Sequence, residues 1–485
     1  MTDKSIRKNY IYNLTYQILL LITPLITTPY LARVLEADGI GTFSFIDSIV
    51  VYFSSFASLG IGTFGQREVA YFRDNIKERS RIFWELKALS VINITIVTAI
   101  YLIFVYFYAE DNIALYLIMV LRLTGGIFDA SWFFAGMEEF RKIVVRNIIV
   151  KILDIAFIFL FIKQKTDLAL HVFGVYFFII LGSVSLLGYL PAYIDKPDIK
   201  SLRPYRNIKT IWSMFIPTIA ILIYTTLDRI MLGIFTQGAL ENGYYEQCMR
   251  ITRITLMFVT SLGSVMIPRI GYLFGRNEHD RIELYMYRSY RFVLFLAVPS
   301  FLGLCAVSGN LVPWFFGAGY DKVSGLLKIS GMLFIAIGIS NVTGIQYLIP
   351  TSRQNIYTLT VLAGAVLNFT LNIFLIRFFM SYGALTASVI AESFIAALQL
   401  YILRGELSFR KIISSGKNYY ISGLIMFGVL EMINKNLLPS AVNTLILIIT
   451  GSAIYSVMLI VLRDEFFIDS LHRFAGCITK KIHRS

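Results

Sequence analysis

The sequence is poor in the residues on which metal proteins, disulfide-rich proteins and soluble enzymes depend. Its 485 residues include three cysteines and four histidines, and their spacing fits neither a metal site nor a disulfide framework. It also lacks a glycine-rich loop ending in Lys-Ser or Lys-Thr that would cradle a nucleotide phosphate. Charged residues make up only 15% of the chain. We therefore predict no metal, no cofactor and no catalytic residues, and any energy coupling would come from an ion gradient.

The chain is instead rich in long apolar runs. Hydrophobic residues make up 57% of it, and its mean hydropathy is +0.69. Because a helix needs about 20 apolar residues to cross the bilayer core, and open sheets are excluded there, the runs predict an all-α polytopic membrane protein. About fourteen spans are expected, at residues 12–32, 41–62, 86–108, 113–135, 143–162, 168–194, 210–236, 249–268, 290–308, 325–348, 357–376, 383–403, 417–433 and 441–462.

The excess of basic residues has a simple explanation in this topology. With the N-terminus in the cytoplasm, most of the 44 Lys and Arg residues fall in the segments between spans that face the cytoplasm, and few fall in outer loops. This asymmetry follows the positive-inside rule. We therefore interpret the formal charge of +14 as an orientation signal and predict no nucleic-acid partner. Both termini are predicted to be cytoplasmic.

The two halves of the chain resemble each other. The tripeptide Ser58-Leu59-Gly60 recurs 203 residues later as Ser261-Leu262-Gly263, and residues 134–154 align with residues 348–368 at an offset of 214. A parallel repeat of this kind predicts two six-helix lobes around a central cavity, with transport by rocking of one lobe against the other. The predicted parts are an N-terminal lobe (1–194), a cytoplasmic connecting loop (195–209), a C-terminal lobe (210–403), and helices 13 and 14 with a cytoplasmic tail (404–485).

Several predicted spans contain charged residues. A charge at the centre of a spanning helix costs about 2.5–3.5 kcal/mol, so these side chains are expected to face a wet cavity or one another, which is typical of a transporter. Cations in such a cavity suit an anionic cargo, because guanidinium groups bind phosphate oxygens. The candidate substrate-binding cations are Arg122, Lys151, Arg229, Arg250 and Lys328. The candidate ion-coupling acids are Asp129, Asp154, Asp228 and Glu392.

Structural alternatives remain open for some of these groups. Lys151 and Asp154 are three residues apart and could neutralise each other, and Glu246 could pair with Arg250 in the same way. Asn368 and Asn372 could hold helices together through hydrogen bonds. Arg122 and Asp129 are seven residues apart and would share one face of a continuous helix.

A set of short motifs resembles the Wzx-type polysaccharide flippases of the multidrug/oligosaccharidyl-lipid/polysaccharide exporter superfamily. The motifs are PLITTPYLAR (24–33), Gly39-Ile40-Gly41, LGIG (59–62), REVA (67–70), WFFAGME (132–138), Pro268-Arg269, GAGY (317–320), Asn368 with Asn372, and Gly383-Ala384 with Glu392. One departure stands out: the family usually has Leu-Gly after the arginine of the first helix, and this chain has Leu35-Glu36-Ala37.

The resemblance implies a multidrug-exporter-like (MATE-like) fold of 12 to 14 helices in two lobes around a cationic lumen. It also implies transfer of undecaprenyl-pyrophosphate-linked oligosaccharide across the cytoplasmic membrane of a bacterium, for O-antigen or capsule assembly. Arg33 joins the candidate cations at this level. Implied partners are membrane lipids, a polysaccharide polymerase and a chain-length regulator, and we expect a monomer.

Three alternative functions compete with this interpretation. A multidrug or cation antiporter would share the fold, but buried cations would repel its cationic cargo. A peptidoglycan-precursor lipid flippase would share both the fold and the type of substrate. A membrane polymerase or ligase would need a catalytic outer loop, and the predicted outer loops are short.

Overall fold

The computed structural model describes residues 3–197, 199–236 and 238–472 of the chain. Throughout those ranges the regular structure is helical, and no β-strand occurs in them. The prediction of an all-α fold is thus confirmed. The end of the predicted cytoplasmic tail, beyond residue 472, lies outside the described residues.

The chain divides into two compact units, Met1–Gly243 (unit 1) and Tyr244–Ser485 (unit 2). The finer four-part division made from the sequence stays a prediction. Unit 1 contains nine helices in its described residues: α1 (Asp3–Ser58), α2 (Ile61–Tyr71), α3 (Ile76–Tyr108), α4 (Ile113–Ile118), α5 (Val120–Gly125), α6 (Ser131–Gly136), α7 (Phe140–Phe161), α8 (Leu168–Leu187) and α9 (Ile208–Thr236). Three short 3₁₀ turns lie at Lys165–Asp167, Leu190–Ala192 and Ile199–Ser201.

Helix α10 (Leu240–Thr260) begins in unit 1 and continues into unit 2. The later helices are α11 (Gly263–Phe274), α12 (His279–Phe315), α13 (Asp321–Ser330), α14 (Met332–Ser340), α15 (Gln354–Ile402), α16 (Phe409–Ser415), α17 (Lys417–Asn434) and α18 (Ala441–Val461). A π-helix at Asn341–Leu348 follows α14.

Eight helical segments of the described chain are long and apolar enough to cross a membrane. Two of them, Leu19–Tyr71 and Gln354–Ile402, each contain a pair of predicted spans. All fourteen predicted spans lie mostly on helical chain. Short non-helical breaks interrupt four of them: 41–62, 113–135, 249–268 and 325–348. Together with the related structures described below, this confirms a polytopic membrane protein with a MATE-like fold.

Two of the predicted outer turns are reduced to single residues inside long helices. The backbone leaves the helical region at Glu36 in α1 and at Met380 in α15. In α15 the two halves then lie side by side, because Gln399 Nε2 donates to Thr360 Oγ1 at 3.1 Å and Asn368 Nδ2 donates to Ser388 Oγ at 3.4 Å. Gly383 makes the tight return possible, since an added Cβ would overlap the backbone of Leu375.

Glu36 occupies a backbone conformation that favours glycine, at φ 58° and ψ 174°. This region is almost restricted to glycine and costs other residues about 1–3 kcal/mol. An exposed ion pair between Glu36 and Lys165, at 3.0 Å, offsets only part of that strain because such pairs contribute about 0–1 kcal/mol. The position is the one where the resembling family has glycine, so the departure noted in the sequence has a structural cost.

Replacing Glu36 with glycine is therefore expected to stabilise the protein by about 1 kcal/mol. The measurement is the midpoint of thermal unfolding in detergent. Glu36→Ala is the matched control, because it removes the ion pair and keeps the strained backbone, so its midpoint should fall slightly. A lower midpoint for Glu36→Gly than for Glu36→Ala would contradict the assignment of strain.

The internal repeat seen in the sequence extends to the backbone. At an offset of 203 residues, the end of α2 at Tyr71 corresponds to the end of α11 at Phe274, and the start of α3 at Ile76 corresponds to the start of α12 at His279. At an offset of 214, α7 and α15 begin at corresponding residues. Glu138 and Ser352, also 214 apart, both have φ 61°. The two units therefore share the boundaries of these corresponding helices.

Two of the motifs that resemble the flippase family contribute to one packed core in unit 1. Trp132 and Phe134 from the WFFAGME segment pack with Phe64 and Val69 from the segment at α2. Gly136 allows the close approach, since an added Cβ would lie 2.7 Å from the Gln66 carbonyl oxygen and 2.9 Å from Val69 Cβ. These motif residues therefore hold α2 against α6, and their role is packing.

An ion pair at the predicted cytoplasmic end of unit 2 is expected to make stability depend on pH. Arg353 donates to both carboxylate oxygens of Glu406, at 2.6 and 2.9 Å, and these bonds lower the pKa of Glu406 below 4.5. A lowered carboxyl pKa contributes stability above the ordinary pKa and loses it as the pH falls through the lowered value. We expect Glu406→Gln to lower the unfolding midpoint at neutral pH, with the difference from wild type shrinking below about pH 4.5. A difference that grew in acid would contradict this.

Candidate functional site

Arg122 on α5 is the centre of a three-residue polar cluster in unit 1. Its guanidinium forms an ion pair with Asp47 of α1 and donates to the Tyr176 hydroxyl at 3.0 Å. Tyr176 on α8 in turn donates to Asp47 Oδ1 at 2.8 Å. The side chains of Arg122 and Asp47 remain 26% and 18% exposed. The guanidinium is thus held in place by two partners and is still accessible.

The prediction that Arg122 and Asp129 share a helix face is wrong. Helix α5 ends at Gly125, and residues 126–130 form turns and irregular chain before α6. The physical reason is the Gly125-Gly126 pair, which weakens the helix at that point. Asp129 lies in the interruption, where its Oδ1 accepts hydrogen bonds from the Ser131 amide at 3.0 Å and from the Ser131 hydroxyl.

Two further cations meet at this interruption. Lys87 on α3 donates from Nζ to the Asp129 carbonyl oxygen at 2.9 Å. Arg146 on α7 donates from Nη2 to Ser131 Oγ at 3.3 Å. All four side chains are partly exposed. The helix break therefore gathers two positive charges around one carboxylate.

Lys151 and Asp154 on α7 form the local pair that the sequence left open. Lys151 Nζ lies 2.8 Å from Asp154 Oδ2, with side-chain exposures of 33% and 9%. The other carboxylate oxygen, Oδ1, is buried and accepts no hydrogen bond from the described residues. The two charges therefore neutralise each other in part, and Lys151 is the more exposed of the two side chains.

Three other candidates of unit 1 lie on α9 and α1. Asp228 is buried and Arg229 is partly exposed. Both are within electrostatic range of Tyr52 on α1, and the Arg229 carbonyl accepts from Asn242 Nδ2 at 3.0 Å. Arg33 is exposed just before the Glu36 interruption.

The candidate site residues of unit 2 lie on three different helices, α10, α13 and α15. Arg250 and Arg253 both approach Glu246, at 3.4 and 3.6 Å, which confirms the pairing of Glu246 with Arg250. Lys328 is exposed, and no ion pair of Lys328 is present among the described residues. Glu392 is partly exposed and lies near Tyr357.

The asparagine pair is also confirmed as a structural link, because Asn372 Nδ2 donates to Asn368 Oδ1 at 3.1 Å. Both asparagines are buried within unit 2. Asn368 is bonded in turn to Ser388 on the other half of α15, so this pair joins the two halves of the helix.

Sequence reasoning missed four residues of the unit 1 clusters: Asp47, Lys87, Arg146 and Tyr176. Asp47 is the only charged residue in the predicted span 41–62, so a signal for it was present. Arg146 lies close to the predicted cytoplasmic end of its span, where positive charge is expected for orientation alone. Tyr176 gives no signal, because tyrosine is common in such helices.

Comparison with known proteins identifies relatives along most of the chain. Residues 6–274 match the family described as "polysaccharide biosynthesis protein". A protein described as an O-antigen transporter of Escherichia coli (strain K12) is 25% identical over 414 residues, which cover 83% of this chain and 97% of that protein. A protein described as a low-salt glycan biosynthesis flippase of Haloferax volcanii is 24% identical, covering 83% of this chain and 84% of its own length.

Solved structures establish the fold. The lipid II flippase MurJ, in an inward closed conformation, superposes with a TM-score of 0.70 at 17% identity, covering 94% of this chain and 99% of MurJ. An inward-facing multidrug resistance transporter of the MATE family superposes with a TM-score of 0.55 at 13% identity, covering 85% and 99%. At these identities the likeness concerns the fold alone.

Proposed function

Because the chain belongs to the polysaccharide biosynthesis protein family, we propose that it is a flippase for a lipid-linked oligosaccharide. The substrate is an undecaprenyl-pyrophosphate-linked repeat unit, which the protein moves from the cytoplasmic to the outer leaflet of a bacterial cytoplasmic membrane for O-antigen or capsule assembly. The relatives described as an O-antigen transporter and a glycan flippase support this proposal. Both of these relatives are described as transport proteins.

The observation that carries the proposal is the set of partly exposed cations inside the spans of unit 1. Arg122 and Lys151 pair with Asp47 and Asp154, and Lys87 and Arg146 bind the Asp129 carbonyl oxygen and the Ser131 hydroxyl. A cation facing lipid would cost about 2.5–3.5 kcal/mol. Their accessible faces are therefore suited to water and to an anionic head group, whereas a cationic drug would be repelled.

In the proposed mechanism the polyprenyl tail stays in the lipid while the head group crosses along the protein. Arginine and lysine side chains bind the diphosphate oxygens by charge-assisted hydrogen bonds. Arg33, Arg229, Arg250 and Lys328 are proposed to extend the cationic path. Asp129, Asp154 and Asp228 in unit 1 and Glu392 in unit 2 are each proposed as a candidate residue for binding a coupling ion. The buried Oδ1 of Asp154 leaves one such acceptor available.

The test in cells is deletion of the gene followed by complementation. We expect loss of surface polysaccharide, accumulation of the lipid-linked repeat unit, and restoration of both by the wild-type protein. Hypersensitivity to several cationic drugs with intact polysaccharide would instead identify a multidrug exporter. Altered polymer length with normal export would identify an enzyme, and lethal loss of cell-wall synthesis would identify a peptidoglycan-precursor flippase.

A further inference from the structure

A pocket in unit 2 lies where four segments of the chain meet. Its volume is about 360 Å³, and it is lined by parts of α12 and α16, by the start of α17, and by Asp464 after α18. Three of these segments reach the pocket at ends of the predicted spans 290–308, 417–433 and 441–462. Those three ends are predicted to be cytoplasmic, so the pocket is expected at the level of the inner-leaflet head groups.

Positive side chains predominate in the lining of this pocket. Arg291 on α12, Lys411 on α16 and Lys417 at the start of α17 bring three positive charges to it. Asp464 brings one negative charge. The other lining residues have neutral polar side chains: Tyr287, Ser414, Ser415 and Asn418. A lining of this composition suits an anion.

The carboxylate of Asp464 is already occupied by the protein. Its side chain is only 1% exposed, and it accepts hydrogen bonds from Asn418 Nδ2 at 3.1 Å, the Tyr419 hydroxyl at 3.4 Å and the Phe467 amide at 3.0 Å. Arg291 Nη2 approaches it only to 3.5 Å, and Arg291 Nε has no hydrogen-bond partner among the described residues. Asp464 therefore holds the wall of the pocket together and leaves donor capacity of the guanidinium unused.

The two lysines of the lining are available to a ligand. Lys411 Nζ lies 3.5 Å from Glu283 Oε1, with side-chain exposures of 67% and 42%, and an exposed pair of this kind contributes little and gives way readily to another partner. Lys417 is exposed, and no ion pair of Lys417 occurs in the described part of the chain. Glu465 lies within electrostatic range of Arg291 but does not line the pocket. Two exposed ammonium groups thus flank the partly exposed arginine.

The level and the chemistry of the pocket together indicate the class of its ligand. Basic pockets between spanning helices on the cytoplasmic side bind the head groups of anionic lipids, and guanidinium and ammonium groups both bind phosphate oxygens. Apolar side chains within four residues of the lining are exposed on three of the helices: Ile413 on α16, Ile421 on α17 and Ile460 on α18. They offer acyl chains a surface that a soluble phosphate compound would not use.

We propose that this pocket binds the phosphate of an anionic phospholipid of the inner leaflet, whose acyl chains lie along α17 and α18. The site is separate from the candidate cations of both units and does not depend on the proposed function. The phosphate bridges Arg291 of α12, Lys411 of α16 and Lys417 of α17, so the bound lipid is expected to stabilise the packing of these helices.

The experiment measures binding of a fluorescent phosphatidylglycerol to the purified full-length chain in a neutral detergent. Lys411→Gln combined with Lys417→Gln should raise the Kd by about tenfold or more, because each basic residue near an anionic lipid contributes to its binding. Arg404→Gln combined with Arg410→Gln is the matched control: it removes two exposed charges from the same predicted cytoplasmic loop, and neither residue lines the pocket. Its Kd should rise by less than about threefold, since salt screens exposed charges outside the pocket.

Competition separates the possible sources of the phosphate. Unlabelled short-chain phosphatidylglycerol should displace the probe at least about tenfold more effectively than phosphatidylcholine, which has no net charge, or inorganic phosphate, which has no acyl chains. Equal displacement by inorganic phosphate would assign the pocket to a soluble anion, and equal displacement by phosphatidylcholine would remove the preference for negative charge; either result overturns the proposal.

Two results with the variants would also overturn it. Wild-type affinity after loss of Lys411 and Lys417 would exclude the pocket, and an equal rise in Kd for the two paired substitutions would show attraction to the surface alone. If the paired lysine variant does not fold, Lys417→Gln alone decides the matter against Arg410→Gln.

Discussion

Replacing Arg122 with alanine is expected to abolish surface polysaccharide. The guanidinium lies inside a predicted span and is bound by Asp47 and Tyr176. Its loss removes a phosphate donor and leaves Asp47 without its ion pair, so transport should fall by about tenfold or more. The amount of folded protein should also fall, because an acid that loses its partner in a largely buried site destabilises the fold. Surface polysaccharide and membrane protein are to be quantified in the same cells.

A charge swap separates these two effects. Arg122→Asp combined with Asp47→Arg restores an ion pair between α5 and α1, so the protein level should recover. Transport should remain lost, because the cation has moved to the other helix. Recovery of polysaccharide by the swap would contradict a binding role and assign the pair to structure. Tyr176→Phe should reduce transport only modestly, because the ion pair remains.

Replacing Gly136 with valine is expected to cause a large loss of folded protein. A Cβ at this position would lie 2.7 Å from the Gln66 carbonyl oxygen, and this backbone atom of α2 cannot move without shifting the helix. Overpacking of this kind costs about 1–3 kcal/mol. The unfolding midpoint in detergent should drop, and surface polysaccharide should fall in proportion to the protein that remains.

Gly428→Ala is the control for this substitution. Gly428 lies in α17, and an added Cβ there meets no atom within 4 Å. Its alanine variant should be as stable as wild type or slightly more so, since alanine favours the helix. Equal unfolding midpoints for Gly136→Val and Gly428→Ala would contradict the packing role of the WFFAGME motif.

Much of the fold could be predicted from the sequence because its signals are local. Apolar runs place the spans, and the offsets of 203 and 214 residues anticipate that α2 corresponds to α11 and α7 to α15. The interruption after Gly125 was missed because the apolar run continues across it. The single-residue turns at Glu36 and Met380 were also unforeseen, since neither residue type favours the backbone it adopts.

Less of the candidate site could be predicted, because its contacts join helices far apart in sequence. The pairing of Lys151 with Asp154 is local and was anticipated. The partners of Arg122 lie 75 and 54 residues away, and no periodicity on one helix indicates them. Lys87 and Arg146 bind neighbouring residues of the α5–α6 interruption, Asp129 and Ser131, and the sequence did not indicate that interruption.

The most direct measurement is transfer of the proposed substrate by the purified protein in liposomes. A polyprenyl diphosphate oligosaccharide with a fluorescent head group is placed in both leaflets, an ion gradient is imposed, and an impermeant reductant is added outside. The proposed function predicts that wild-type vesicles lose fluorescence beyond the outer-leaflet share, while vesicles with the Arg122–Asp47 swap stop at that share. Protection of the inner leaflet in wild-type vesicles, equal to that in protein-free vesicles under both proton and sodium gradients, would contradict it.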